Sequence, residues 1–203
     1  MPVNVNPGLV QLFKDKAKPA SIEVVELKDL TEAIYYVIDL TVKVELAMLM
    51  PTALGQKPSS DPTRKKTLTA PGISLADFDR LFKLGEEKNV EVIRSGLRQR
   101  LAGVDVAFSL ADLAIAETAT CVMENNDEDL RLSTMICENQ VVVLPKSKIV
   151  KTSYEAEYFL NEAFKKNNYL SFISGPSRTA DIERVLTLGV HGPLTLCVLL
   201  LEE

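Results

Sequence analysis

The chain has 203 residues, 46% hydrophobic and 25% charged, with 28 acidic residues against 23 basic ones and a formal net charge of −5. That length holds a sizeable core without disulfide staples, and the acidic balance speaks against a general nucleic-acid binder. Cys121, Cys137 and Cys197 form no CxxC pair, and His191 is the one histidine, which argues against a structural zinc site or a self-held iron–sulfur cluster. Three scattered thiols suit a reduced, cytoplasmic protein. The opening residues lack a basic stretch followed by an apolar run, so no secretory signal is read there. No apolar stretch approaches the roughly 20 residues of a membrane span.

Residues 22–27 (IEVVEL) read as a strand. Asp29 and Glu32 then form a helix-capping pair, and Leu30, Ala33, Ile34, Val37 and Ile38 continue at helical spacing. From Val42 the pattern changes to alternation (Val42, Val44, Leu46, Met48), which predicts a helix passing into a strand. Residues 51–66, rich in Pro, Ser and charge, predict a long exposed loop: a solvated surface feature, a functional flap or a subdomain boundary.

Beyond it, residues 67–70 are strand-like, and Ser74 with Asp77 caps a helix carrying Leu75, Phe78, Leu81 and Phe82 up to Gly85. Strands follow at 90–93 and 104–110, separated by the basic run 94–100 (RSGLRQR), read as a solvated face or as a source of positive charge for an anionic ligand. After 113–124 come an acidic loop (125–131), a short helix at 132–137 and a buried-type strand at 141–144. Residues 154–166 predict an amphipathic helix, 169–173 a strand, 181–188 a helix ending at Gly189, and 194–201 a closing strand. Helices alternating with continuous Val/Ile/Leu strands indicate an α/β protein with a mostly parallel sheet covered on both faces.

Three segments hold candidate chemistry. Ligands in open α/β sheets sit beyond the carboxyl ends of strands, and the turn after the 169–173 strand would expose Ser174, Gly175, Ser177, Arg178 and Thr179 there. A helix N-terminus with hydroxyls suits an anion, and Arg178 suits a carboxylate or phosphate. Asp181 and Glu183 in the same predicted turn favour plain capping instead, so both readings stand. His191, between Gly192 and the predicted 181–188 helix, is a candidate base or a hydrogen-bonding group at a tight corner. Glu117 interrupts a small, apolar run beside Thr118 and Thr120. A partly buried carboxylate there would be a candidate acid, base or nucleophile, or would pair with Arg131. The cysteines read as packed small hydrophobes.

The segments ADLAIAETAT (111–120), EDLRLSTMICENQVVVLPKSKIV (128–150) and FISGPSRTADIERVLTLGVHGPLTLCVLLLEE (172–203) closely resemble the lactate-utilisation (LUD) domain family, in its short, cluster-free subunit type. The resemblance implies one domain over 1–203 with a three-layer α/β/α fold akin to sugar-phosphate isomerases and coenzyme A transferases. It also implies an accessory, non-redox subunit of a system oxidising L-lactate to pyruvate, whose iron–sulfur clusters belong to partner subunits. No cofactor of its own is expected. A small organic acid, or a phosphorylated or coenzyme A ligand, would bind near Glu117, Thr118, Thr120, Arg178, Thr179, Asp181 and His191. A homo-oligomer is compatible with this picture. The alternatives are a stand-alone isomerase- or acyl-transferase-like enzyme and a ligand-sensing module. The chain departs from the family pattern at Ala119, where Gly is usual, and at Gln140, where His is frequent, while 175–183 (GPSRTADIE) is intact.

Overall fold

In the computed structural model, the described residues are 5–47, 63–182, 185–188 and 192–202. Their centre is a six-stranded, wholly parallel sheet in the order β1-β12-β7-β4-β2-β3. Its strands are β1 (Ile22–Leu27), β2 (Lys66–Thr69), β3 (Val90–Ile93), β4 (Val104–Leu110), β7 (Cys137–Pro145) and β12 (Thr195–Leu201). Parallel strands buried on both faces need apolar residues at every position, and β12 (TLCVLLL) has six in a row. Alternate residues serve opposite cores. Cys197, Leu199 and Leu201 face one cluster with Val141 and Val143, while Leu196, Val198 and Leu200 face the other with Val142 and Leu144. Burying each such leucine contributes about 2 kcal/mol.

Helices α2 (Leu30–Lys43) and α3 (Leu75–Glu87) cover the first face through Ile34, Val37, Ile38 and Leu81. Their caps are the predicted ones. Asp29 accepts from the Glu32 amide at 3.0 Å, and Ser74 accepts from the Asp77 amide at 3.1 Å. Helix α1 (Pro7–Ala17) covers the second face through Val10, Phe13 and Ala17, together with a small four-stranded sheet. That sheet contains β8 (Ile149–Val150), β5 (Leu113–Ile115), β6 (Thr120–Glu124) and β9 (Leu170–Ile173), in that order. Helix α4 (Glu128–Ile136) packs beside it against β4 and β7, and α5 (Glu157–Lys165) packs on β5 and β6 through Ala156, Phe159 and Leu160.

Three expectations change. Helix α2 runs through Lys43, followed by coil to Ala47, so the apolar alternation from Val42 forms no strand within the described residues. Met48 and residues 51–62 of the expected loop lie outside them. The acidic segment 125–131 is half helix, because the Asp127 carboxylate caps α4 by accepting from the Leu130 amide at 3.0 Å. The described residues of the predicted 181–188 helix are extended instead: β10 (Arg178–Ile182) and β11 (Val185–Leu188) pair antiparallel, Arg178 with Leu188 and Ile182 with Val185. The β-branched Thr179, Ile182, Val185 and Thr187 favour extended backbone, and their spacing satisfies either period.

Asp105, at the amino end of β4, is fully buried and ties the segments flanking 48–62 together. Its carboxylate accepts from the Ala47 amide at 2.6 Å, the Thr67 amide at 2.7 Å and the Thr67 hydroxyl at 2.8 Å, besides Arg64.

Candidate functional site

The segment 174–178 does not lie at the carboxyl end of the parallel sheet. Strand β9, which leads into it, belongs to the small four-stranded sheet, antiparallel to β6, and the turn folds back over the amino ends of β1, β7 and β12. Gly175, at φ +117°, allows this. A Cβ there would stand 2.7 Å from the Ala20 carbonyl oxygen, just before β1. The Ser177 amide donates to the Pro193 carbonyl at 2.8 Å, and the Leu194 amide to that of Glu138 at 2.8 Å. Arg178 donates from Nη2 to the Ser21 hydroxyl at 2.6 Å and the Pro19 carbonyl at 3.4 Å. Its guanidinium is thus fastened at the entrance to β1, exposed on its outer side.

Two cavities open beneath this turn. One, of about 310 Å³, lies over the strand ends and is lined by Ser21, Glu23, Asn139, Pro176, Thr195 and Cys197, among others. The second, of about 240 Å³, lies between β9 and the amino ends of β7 and β12. Gln140 and Leu196 line both. Gln140 is 1% exposed; its Nε2 donates to Ser109 Oγ at 2.7 Å, and its Oε1 accepts from the Cys137 thiol at 3.0 Å. This was the residue noted only as a departure from the family pattern. Its place in the walls of both cavities arises from strand pairing and has no local signal.

Ser174 also closes a line of three hydroxyls. Thr118 Oγ1 lies 2.7 Å from Thr120 Oγ1, which lies 2.6 Å from Ser174 Oγ. The predicted threonines and the predicted turn are therefore in direct contact. Ala119, between the threonines, sits at φ +50°, in the left-handed region that explains why glycine suits this position. Glu117 is exposed, contrary to expectation, because it occupies a short 3-10 turn at the tip of the β5–β6 connection. It accepts from the Ser153 amide at 3.2 Å. Arg131 does not pair with it; its guanidinium donates to the Asn125 and Asn126 carbonyls and lies over the Tyr169 ring at 5.2 Å. Of the remaining candidates, Thr179 and Asp181 fall on β10, and His191 lies outside the described residues.

The basic run is only partly solvated. Arg94 donates to the Ile73 carbonyl at 3.2 Å and covers the Phe78 ring, while Arg98 and Arg100 pair with Glu128 and Glu91. The three cysteines are free, buried and divided among three separate core clusters. Burial pushes the Cys121 and Cys197 thiols up to about 12, and Cys137 also above the ordinary thiol range. Among the described residues, no group of three or more His, Cys, Asp or Glu is placed to hold a metal ion. No helix among them is long and apolar enough to cross a membrane.

The LUD domain model matches residues 10–201, nearly the whole chain. The chain belongs to the LUD domain family. Among curated LUD relatives, it is 34% identical to Lactate utilization protein C of Geobacillus thermodenitrificans over 54% of this chain and 49% of that one. It is 30% identical to Lactate utilization protein C of Shouchella clausii over 67% of this chain and 55% of that one. The chain thus spans about half the length of the curated relatives it matches. A crystal structure of a DUF162 family protein from Deinococcus radiodurans shares the fold of this LUD domain, with a TM-score of 0.61 and 18% identity over 96% of each chain.

Proposed function

We propose that this LUD domain is a cytoplasmic, non-redox subunit of a system that oxidises L-lactate to pyruvate, working beside partner subunits that carry iron–sulfur clusters. The names of its curated relatives support the pathway. The separation of its three buried thiols supports placing electron transfer in the partners. Its own role is to bind a small organic acid under the 174–178 turn. One observation carries that role: Arg178 is anchored to Ser21, and Ser21 lines a cavity that shares Gln140 with a second one. An arginine held beside a cavity-lining serine matches a carboxylate in charge and shape.

Deletion of the gene in its host tests the pathway, and recovery of the tagged chain from lactate-grown cells tests the partnership. Loss of growth on L-lactate together with co-purifying cysteine-rich iron–sulfur proteins is the expected result. Normal growth, with the chain recovered alone, would overturn it.

A further inference from the structure

The larger cavity beneath the 174–178 turn is apolar in most of its walls, which include Leu40, Val141, Pro176, Leu194, Leu196 and Cys197. Its volume of about 310 Å³ falls at the small end of the roughly 300–1,000 Å³ of ligand pockets. The amides in the wall are engaged elsewhere. Asn139 Oδ1 accepts from the Thr195 hydroxyl at 2.8 Å, its Nδ2 donates to the Asp105 carbonyl at 3.0 Å, and Gln140 is held by Ser109 and Cys137. Glu23 is different. It is the charged side chain among the described lining residues, and it makes no hydrogen bond or ion pair with another described residue. Strand pairing turns it inward. Glu23 lies opposite Cys197 in the parallel register of β1 and β12, so both side chains face α2, whose Leu40 helps line the cavity. Burial raises the Tyr36 hydroxyl and the Cys197 thiol, which lie 3.8 Å apart, and the Glu23 charge adds to both.

A carboxylate at the rim of an apolar cavity attracts a cation and repels a second carboxylate. Ser21 lines the same cavity and holds Arg178, itself outside the walls, at 2.6 Å. The entrance to β1 therefore carries one positive and one negative group that do not pair with each other. A plain acid suits the first and is opposed by the second, and an amine suits only the second. We propose that the ligand under this turn is a 2-amino acid with an apolar side chain, its ammonium on Glu23, its side chain in the cavity and its carboxylate turned outward to Arg178; this rests on the organic-acid reading above. Each charge of such a zwitterion then has an opposite neighbour, and its apolar part is the part that leaves water.

Calorimetric titration of the full chain with L-leucine, L-lactate and 4-methylpentanoate, which is leucine without its ammonium, tests this. Thermal unfolding run in parallel verifies that the variant folds. Wild type is expected to bind leucine at least about fivefold more tightly than 4-methylpentanoate. Glu23→Gln keeps the length of the side chain and removes its charge, so it should weaken leucine about fivefold without weakening 4-methylpentanoate. Leucine held no better than 4-methylpentanoate by wild type, or held equally by wild type and variant, would overturn the amino-acid assignment alone, as would binding of L-lactate without leucine. Failure of wild type to bind any of the three acids would overturn the organic-acid reading and this inference with it.

Discussion

The Arg64 guanidinium grips the Asp105 carboxylate with two parallel hydrogen bonds, Nη1 to Oδ2 and Nη2 to Oδ1, each 2.7 Å long. Arg64 Nη2 also donates to the Ala47 carbonyl at 3.2 Å, so one ion pair joins the two ends of a long connection to the start of β4. The Arg64 side chain is 13% exposed and that of Asp105 is 0% exposed, so each would be stranded in low dielectric without the other. Asp105→Asn and Arg64→Ala should each cost about 3–5 kcal/mol in urea unfolding. A loss below about 1 kcal/mol for both would mean that the pair does not hold the connection.

The same carboxylate shapes the acid limb of stability. Burial pushes the Asp105 carboxyl up, but Arg64, Ala47 and Thr67 together outweigh it and hold the group below its ordinary 3.8. Glu26 is lowered from 4.5 to about 2, by Lys14 first and then Lys146. A depressed folded value means stability that is present above the unfolded pKa and is lost as pH falls through the folded one. Melting temperature should therefore hold steady above about pH 5 and fall progressively from about pH 4.5 towards 2. Glu26 is too solvated to dominate, so Asp105→Asn should flatten the fall. An unchanged profile in that variant would assign acid lability to other groups.

Ala119 tests two opposing terms. Its left-handed backbone costs about 1 kcal/mol for any residue but glycine, while its fully buried methyl contributes about as much by packing. Ala119→Gly should change unfolding free energy by less than about 0.5 kcal/mol, and Ala119→Val should destabilise by about 2 kcal/mol or more. A large loss in the glycine variant would show that packing outweighs backbone strain.

Gly175→Ala combines positive φ with a backbone clash at the Ala20 carbonyl, and neither can yield by a side-chain rotation. A loss of about 1–3 kcal/mol is expected, with amide exchange quickening at Ser177, whose hydrogen bond to Pro193 depends on the same turn. Unaltered exchange at Ser177 would show that the turn tolerates a side chain.

Thiol labelling checks the core. With all three cysteines buried and burial holding their thiols protonated, Ellman's reagent at pH 8 should find none of them in the native chain and three after denaturation. Rapid native labelling of one thiol would place that residue outside the packed clusters described here.

The parallel sheet was legible because its strands are unbroken apolar runs such as VVVL in β7, and α2 and α3 because a capping side chain precedes each apolar stripe. Helix α1 carried comparable signals, Asn6 capping at 3.0 Å and Pro7 in the first turn, yet its weak apolar stripe left it unread. Residues 181–188 read as a helix in sequence because Ile182, Val185 and Leu186 fit a helical face as well as a strand. The site's position was hidden for a different reason. Whether β9 joins the large sheet or the small one depends on pairing with β6 more than forty residues earlier, which no local pattern encodes. That one membership moves Ser174 and Arg178 from the carboxyl end of the sheet to the amino end.

Strand β12 lies between β1 and β7, with Leu196 opposite Ile22 on one side and Gln140 on the other. A chain leaving the ribosome makes β1 early but can give it no neighbour until β12 has emerged, so β1 waits unpaired through most of synthesis and the β7 edge stays open from residue 145 onward. Nascent chains of this protein should therefore depend on holding chaperones until late in translation, and stop codons placed before Thr195 should yield aggregates instead of shorter folded domains.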